Sequence, residues 1–402
     1  MKKALSLLLV GAMTLSLAAC GGNGDSASTD SAAEESTTTE ETEAADSEGG
    51  EAFKIGGIGP ITGGTAIYGT AVQNGIQIAV DEINAAGGIN GYQIDYNFQD
   101  DEGDSEKAIN AYNTLKDWGM QVLVGTVTSA PCIAVAEETH NDNMFQITPS
   151  GTAVECVQYP NALRMCFSDP TQGTESAKYI GENGMATKVA VIYDSSDVYS
   201  TGIYEAFAAE AANQPFEVVS VEAFTADSKT DFSVQVQKSK EAGADLLFMP
   251  FYYTEASLVL AECDKQGYEP TFFGCDGMDG ILTVENFDTS LAEGLMLLTP
   301  FSADEEGSQD FVAAYEEAYG MEPIQFAADA YDAVYAIKAA AEQAGVTPDM
   351  EVSDICEAMK VAMTEITIDG LTGEGMTWTE DGEPHKEPKA VMIVDGVYEM
   401  QN

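Results

Sequence analysis

From Phe53 onward, short apolar runs alternate with longer stretches that have the hydrophobic spacing of helices. Between the first two runs, Val72, Ile76 and Val80 recur at four-residue spacing, and Gly87 follows as a stop signal. Strand–helix alternation predicts an α/β fold of parallel sheets covered by helices on both faces. The apolar runs that predict strands are residues 53–58, 94–98, 122–124, 144–147, 189–192, 216–221, 246–249 and 271–273.

The length of this region predicts two lobes. About 350 residues are more than one hydrophobic core comfortably serves. Two lobes leave a cleft between them, and in open α/β sheets ligands bind at the carboxyl ends of strands. Functional residues are therefore expected directly after the apolar runs.

The first 20 residues predict an export signal. Lys2-Lys3 precedes an uncharged, mostly apolar stretch over 4–17, which is shorter than the about 20 apolar residues of a transmembrane helix. Residues 17–21 (LAACG) resemble the lipobox of bacterial lipoproteins, which implies that Cys20 is lipidated and becomes the first residue of the mature chain. An ordinary signal cleaved directly before this cysteine is the alternative, and it would leave a free thiol.

Residues 21–52 predict a disordered acidic tether. They contain ten acidic residues, no basic residue and no aromatic or large aliphatic side chain, so nothing in them can bury surface. Removing this tether and the signal leaves 58 acidic and 14 basic residues on 53–402, a formal charge of -44 within the -52 of the whole chain. Such a charge repels nucleic acid and anionic lipid. We therefore expect no nucleic-acid partner and membrane attachment only through a lipid on Cys20.

Polar, glycine-containing segments follow four of the predicted strands, at residues 59–64, 125–131, 148–152 and 274–277. The first has neither a phosphate-loop lysine nor the dinucleotide-binding glycine spacing, so it predicts no nucleotide site. In the second, Ser129 is a predicted helix N-cap, and free N–H groups at a helix N-terminus can hold an anion. The third adds the hydroxyls of Ser150 and Thr152, and Asp276 in the fourth is an acceptor for an ammonium group. Together these segments suit a zwitterionic ligand. The simpler alternatives are that Ser129 only caps a helix and that Asp276 is an exposed aspartate in a turn.

Several segments in register resemble the leucine/isoleucine/valine-binding family of type I periplasmic binding proteins: residues 55–63 (IGGIGPITG), 69–91, 100–104 (DDEGD), 189–193 and 230–233 (TDFS). The resemblance implies two Rossmann-like lobes joined by three crossings. Lobe one would comprise 53–168 plus about 300–374, and lobe two 169–299 plus about 375–402. It also implies a monomer that closes around an amino acid and delivers it to an ABC transporter permease at the outer face of a bacterial cytoplasmic membrane.

The resemblance also implies roles for single residues. Ser129 and Thr152 would hold the α-carboxylate of the ligand. The backbone carbonyl at Ser150 and the carboxylate of Asp276 would receive its α-ammonium group. Tyr199 and Tyr252 resemble the cleft tyrosines of the second lobe, and Tyr68, Val127 and Phe326 correspond to positions of the side-chain pocket. Together with Thr128, these three residues suggest a mostly apolar pocket with one hydroxyl.

This pocket predicts a neutral, branched-chain or other aliphatic amino acid, and it would also accept a small amide or an aromatic amino acid. A surface lipoprotein that senses its ligand rather than delivering it is the second function that this fold supports. The sequence leaves the choice of amino acid and of role open.

An enzyme is disfavoured, as are a metal and a cofactor. Among two histidines, His140 lies eleven residues beyond Ser129 on the same predicted helix, roughly 16 Å away, and His385 lies in a polar stretch. No serine-hydrolase or zinc-protease motif occurs, and Asp100-Asp101 is most simply solvated surface. Besides Cys20 there are six cysteines. Cys156 and Cys166 are the most plausible disulfide pair, with free buried thiols as the alternative.

Overall fold

The computed structural model describes residues 52–401, which form two parallel-sheet lobes of an α/β protein. The predicted signal, Cys20 and almost all of the predicted tether lie outside the described residues. Within those residues, no helix is both long and apolar enough to cross a bilayer.

The first sheet is entirely parallel and has the strand order β2-β1-β3-β4-β5. β3 and β4 are buried along their whole length because helices cover both faces of the sheet. Its elements are β1 (Phe53–Gly59), α1 (Ala66–Ala85), β2 (Ile94–Asp100), α2 (Ser105–Trp118), β3 (Val122–Gly125), α3 (Ser129–Asp142), β4 (Phe145–Thr148) and β5 (Ala162–Arg164).

The second sheet begins with five parallel strands in the order β7-β6-β8-β9-β10. The elements of this part of the chain are α4 (Asp169–Glu182), β6 (Lys188–Asp194), α5 (Val198–Ala211), β7 (Glu217–Phe224), α6 (Ser233–Glu241), β8 (Leu246–Met249), α7 (Tyr253–Gln266), β9 (Thr271–Gly274) and β10 (Met296–Thr299).

Three further helices then pack back toward the first sheet. The close fit of α9 against α1 depends on Gly75, where a Cβ atom would lie 2.1 Å from the carbonyl oxygen of Ala327. These helices are α8 (Gln309–Tyr319), α9 (Gln325–Ala344) and α10 (Val352–Met363), and they are followed by a small hairpin of β11 (Ile368–Gly370) and β12 (Gly373–Met376).

The prediction of parallel sheets does not hold for the last two strands of the second sheet. β13 (Lys389–Val394) pairs antiparallel with β10, and β14 (Val397–Met400) pairs antiparallel with β13. The two-residue turn between them is Asp395-Gly396, and both residues have positive φ. Asp-Gly between apolar runs is a strong hairpin signal, because such a turn matches the twist of antiparallel strands.

The chain passes between the two sheets three times. It leaves the first sheet after Arg164, leaves the second sheet after Thr299, and returns to the second sheet before Lys389. The last crossing is fixed to the end of β5, since Trp378 Nε1 donates to the carbonyl of Arg164 at 2.8 Å and Arg164 N donates to Gly382 O at 3.0 Å.

Candidate ligand-binding site

The carboxyl ends of β3 and β4 bring Ser129 next to Thr152. Their hydroxyl oxygens are 3.4 Å apart, and both side chains are buried. Ser129 Oγ accepts the backbone N–H groups of Thr152 and Ala153 at 3.3 and 3.2 Å. Because this oxygen already accepts two hydrogen bonds, its own hydrogen can only be donated, to Thr152 Oγ1 or to an external acceptor such as a carboxylate.

The predicted N-cap role of Ser129 is wrong. α3 starts at Ser129 itself, so the cap position belongs to Thr128, whose hydroxyl makes no capping hydrogen bond. Thr128 Oγ1 is buried and has no partner among the described residues. The helix therefore starts without a side-chain cap, and its first N–H groups retain capacity for an anion.

Hydrogen bonds tie the two strand-end loops together. Ser150 Oγ donates to Val127 O at 2.8 Å, and Thr148 Oγ1 donates to Thr126 O at 2.6 Å. Thr148 Oγ1 also accepts from Gly151 N at 2.7 Å. The hydroxyl of Ser150 thus holds the two loops together. The part of Ser150 that is predicted to contact the ligand is its backbone carbonyl.

Arg164, at the end of β5, lies fully buried behind the second of these loops. Its guanidinium donates to the carbonyls of Gly151 at 3.1 Å and Ala153 at 3.0 Å, and also to that of Thr152. Arg164 Nε is 3.2 Å from the Glu383 carboxylate of the third crossing, in ion-pair rather than hydrogen-bond geometry. One buried cation thus holds three consecutive carbonyls on one side of the loop, a role that sequence reasoning missed.

Asp276, directly after β9, is only 6% exposed, so the alternative of an exposed turn aspartate is wrong. Tyr199 OH donates to Asp276 Oδ1 at 2.7 Å and accepts from Gly277 N at 3.0 Å. Gln172 Oε1 accepts from Asp276 N at 3.1 Å. Burial raises the pKa of Asp276 to about 6, although the hydrogen bond from Tyr199 opposes the shift.

Tyr199 and Tyr252 stack with their ring centroids 4.9 Å apart. Their arrangement requires glycine at position 277, where a Cβ would lie 2.6 Å from the Tyr199 hydroxyl oxygen. Both rings are held by the second lobe, Tyr199 at the start of α5 and Tyr252 directly before α7. They form an aromatic wall beside Asp276.

Tyr68 bridges the two lobes. Its ring stacks on Phe326 with centroids 4.1 Å apart and meets the Tyr252 ring edge-on. Its hydroxyl donates to Gly277 O in the second lobe, and the side chain is fully buried. Tyr68 and Phe326 therefore form the apolar end of the cleft, where both lobes meet.

A cavity of about 410 Å³ opens between the lobes. Of the ten predicted ligand residues, Thr128 and Tyr252 line it. Other lining side chains include Pro131, Phe251, Asp197 and Glu255, the last paired with Lys229 at 2.9 Å.

The structure shows the surroundings of the two histidines and of the six cysteines in residues 52–401. His140 stacks on Tyr159 with centroids 4.2 Å apart, and His385 is exposed. In residues 52–401 no group of three or more potential ligands is arranged to hold a metal ion. The pairing of Cys156 with Cys166 does not form, since all six cysteines of this region are free and buried.

Buried carboxyl groups outside ion pairs are a feature of this acidic chain. Asp101 is fully buried, which corrects its assignment to the solvated surface, and burial raises its pKa to about 7. Burial also raises the pKa of Asp279 to about 7 and those of Asp197 and Asp276 to about 6. Each folded-state pKa exceeds that of an unfolded aspartate, so the folded form binds these protons more tightly.

We expect the protein to be more heat-stable at pH 5 than at pH 8. The stabilisation by these protonated carboxyls is fully present below the unfolded pKa and is lost as the pH rises through 6 to 7. One pKa unit corresponds to about 1.4 kcal/mol, so part of these shifts already moves the melting temperature by several degrees. Calorimetric scans at both pH values, repeated in high salt to screen general charge repulsion, test this. A melting temperature that is equal or lower at pH 5 contradicts it.

Residues 52–396 match the family model described as periplasmic binding protein. The chain is 31% identical to the Leu/Ile/Val-binding protein BraC3 of Rhizobium johnstonii over 74% of this chain and 81% of that protein. It is 27% identical to a leucine-, isoleucine-, valine-, threonine- and alanine-binding protein of Pseudomonas aeruginosa, over 78% and 84% of the two chains.

Among solved structures, the branched-chain amino acid transporter substrate-binding protein LivJ of Streptococcus pneumoniae, in complex with isoleucine, is similar to this chain. The TM-score is 0.79 at 28% identity, covering 87% of this chain and 98% of that one. A leucine-binding protein LivK of Thermotoga maritima gives a TM-score of 0.78 at 25% identity, covering 87% and 97%.

Proposed function

The chain belongs to the periplasmic binding protein family, in its type I branched-chain amino acid group, and we propose from this premise that it captures a neutral amino acid between its lobes. Proteins of this family bind solutes for ABC transporters outside the cytoplasm and are not enzymes. The chain is accordingly an extracytoplasmic solute-binding protein.

One observation carries the proposal for the ligand. The buried carboxylate of Asp276 accepts a hydrogen bond from Tyr199 but has no lysine or arginine within ion-pair distance among the described residues. A buried carboxylate without a cation is costly, so a cationic group of the ligand is the partner that the site lacks. The hydroxyls of Ser129 and Thr152 across the cleft supply the donors for an anion. A ligand with both charges and no net charge, an amino acid, satisfies both sides.

The roles follow from these positions. Ser129 and Thr152 would bind the α-carboxylate, together with the first N–H groups of α3. Asp276 and the carbonyl of Ser150 would bind the α-ammonium group. Tyr199 orients the Asp276 carboxylate, and the aromatic wall excludes water, which strengthens charge-assisted hydrogen bonds in the closed cleft.

The side-chain pocket favours an aliphatic amino acid. Tyr68 and Phe326 stack to form an apolar end, and Val127 is buried in the same hydrophobic core. Among the residues assigned to the pocket, Thr128 has a buried hydroxyl without a partner, whereas the Tyr68 hydroxyl donates to Gly277 O, so an amide or an aromatic amino acid stays an alternative. The relatives named for leucine, isoleucine and valine, and the isoleucine complex, support a branched-chain ligand.

We propose the lobe boundaries that the resemblance implies, 53–168 plus about 300–374 and 169–299 plus about 375–402. The two sheets and the three crossings support this division. Hinge motion at the crossings would close the lobes on the ligand, and the closed monomer would be the form that the permease accepts.

The N-terminal region carries the attachment. We propose that residues 1–20 are a lipoprotein signal, that Cys20 receives the lipid, and that residues 21–52 hold the lobes away from the membrane. Lipid on one terminal cysteine anchors stably only with more than one acyl chain, as on lipidated bacterial cysteines.

A thermal-shift screen of the twenty amino acids with the mature chain tests the ligand. We expect isoleucine, leucine or valine to raise the melting temperature most, since a ligand at 100 times its Kd stabilises by about 2.7 kcal/mol. Isothermal titration calorimetry of the best ligand then gives its Kd. No shift with any of the twenty would refute the proposed function.

A further inference from the structure

Two of the six buried cysteines lie together beneath the loops of the proposed binding site. Cys132 is in the first turn of α3, and Cys156 is in a short 3-10 helix, Val154–Val157, that follows the loop after β4. Both side chains are fully buried, and they form a small packed cluster with Ala153. The other four cysteines of residues 52–401 lie outside this cluster. Cys132 and Cys156 are therefore the two thiols that the fold brings together.

Contacts of both thiols place the pair beside Ser129. Cys156 Sγ lies 3.7 Å from the carbonyl oxygen of Ser129. Cys132 comes three residues after Ser129 on α3, and residues at this spacing share one face of a helix. The loop after β4 also closes over Cys132, since a Cβ at Gly151 would lie 2.9 Å from Cys132 Sγ. The two sulfur atoms therefore lie between α3 and the loop that carries Thr152.

The surroundings of the two thiols favour one of them as a thiolate. A hydrogen bond with the Cys156 thiol lowers the pKa of Cys132, burial opposes this, and Thr148 and Arg164 lower the pKa further. Burial raises the pKa of Cys156 well above the ordinary value of a thiol. Thiol–disulfide exchange starts from a thiolate, so Cys132 is the nucleophile of the pair and Cys156 is its protonated neighbour.

The 3-10 helix that carries Cys156 lies at the protein surface. Val154 is 49% exposed, and Glu155 and Gln158 are exposed as well. A short surface turn of this kind opens at a lower free energy than the sheets do. A buried thiol reacts slowly in the closed fold, so the pair meets an oxidant while the chain folds outside the cytoplasm or while this turn is open.

We propose that Cys132 and Cys156 form a disulfide bond that ties α3 to the segment after β4, beneath Ser129 and Thr152. The oxidant is an external disulfide. The Cys132 thiolate attacks one sulfur of that disulfide and releases one thiol, and Cys156 then attacks Cys132 in the mixed disulfide and releases the second. The pair loses two electrons and two protons, and the oxidant gains them as two thiols.

This bond would add a covalent hold to a loop that Arg164 already fixes. The guanidinium binds the carbonyls of Gly151, Thr152 and Ala153, and the disulfide would fix the turn that follows them. A disulfide that closes a loop of about 25 residues stabilises mainly by restricting the unfolded chain. Oxidation therefore raises the melting temperature, and reduction lowers it again.

The test refolds the mature chain from urea, once with dithiothreitol and once with a mixture of reduced and oxidised glutathione. Cys20→Ser is included throughout, because it removes the thiol that would otherwise be unlipidated. Alkylation in denaturant followed by intact mass should count six thiols in the reduced sample and four in the oxidised one. Peptide mapping without reductant should join the Cys132 peptide to the Cys156 peptide, and the oxidised chain should melt a few degrees higher.

Two variants complete the experiment. Cys132→Ala should leave every remaining thiol open to alkylation and should melt at the same temperature in both samples, and Cys156→Ala replaces it if it does not fold. Cys263→Ala, at an equally buried cysteine outside the cluster, is the matched control and should keep the disulfide. The inference is overturned if the oxidised chain still has six free thiols, or if mapping joins another pair such as Cys156 and Cys166. None of these measurements uses a ligand, so their outcome is independent of the proposed function.

Discussion

Replacing Asp276 by alanine should weaken amino-acid binding by roughly 2 to 4 kcal/mol, which corresponds to a Kd roughly 30 to 900 times higher. The substitution removes the carboxylate that we propose as the main partner of the ligand ammonium, and it leaves that ammonium buried without its counter-charge. It also frees Tyr199 OH, which then keeps only its bond from Gly277 N. Titration calorimetry with L-isoleucine measures the change.

Asp276→Glu is the matched control, because it keeps the charge. The resemblance implies that relatives often have glutamate at this position, so this variant should recover most of the lost affinity. Thermal unfolding without ligand separates an effect on binding from an effect on folding. Burial of the wild-type carboxylate is unfavourable, as its raised pKa indicates, so Asp276→Ala should unfold at a similar or higher temperature than the wild type. Unchanged affinity in Asp276→Ala would show that Asp276 does not contact the ligand.

Much of the fold follows from local patterns. All eight predicted strands form, with ends that differ by at most three residues from the prediction, because each run is rich in the β-branched, aromatic and other apolar residues that strands favour. β5, β10, the β11–β12 hairpin and the C-terminal hairpin were missed. β5 has only three residues, and one of them is the charged Arg164, so its sequence is typical of a loop. The Asp395-Gly396 turn was the available signal for the hairpin.

The candidate site could be predicted in part for the same topological reason. Parallel strands place their carboxyl ends at one edge, so Ser129, Thr152 and Asp276 could be proposed from their positions after apolar runs. The burial of Asp169 could not be predicted, because Ser168-Asp169-Pro170 is an ordinary helix start in which an acid merely favours the helix dipole. Its burial arises from packing of α4 against α5, a contact between elements that local periodicity does not report.

Arg164 is the clearest case of a residue whose role local sequence patterns do not reveal. Its replacement by methionine should have the largest effect on folding. Methionine is similar in length and apolar, so it fills the space, but it leaves the carbonyls of Gly151, Thr152 and Ala153 without their buried donor. Removing one partner from such a buried charged network costs about 3 to 5 kcal/mol. We expect the free energy of unfolding in urea to fall by about this amount and the melting temperature to fall by several degrees.

Binding should suffer beyond the loss of stability. With its carbonyls no longer fixed, the loop would cease to present Thr152 to Ser129, so Arg164→Met should raise the Kd for L-isoleucine at least tenfold at a temperature where the variant remains folded. Glu383→Gln is the control that separates the two roles of the guanidinium, since it removes the partly exposed ion pair and keeps the three carbonyl contacts. It should cost about 1 kcal/mol or less and leave the Kd within about threefold. If Glu383→Gln and Arg164→Met had equal effects on the Kd, Arg164 would act through the third crossing rather than through the ligand loop.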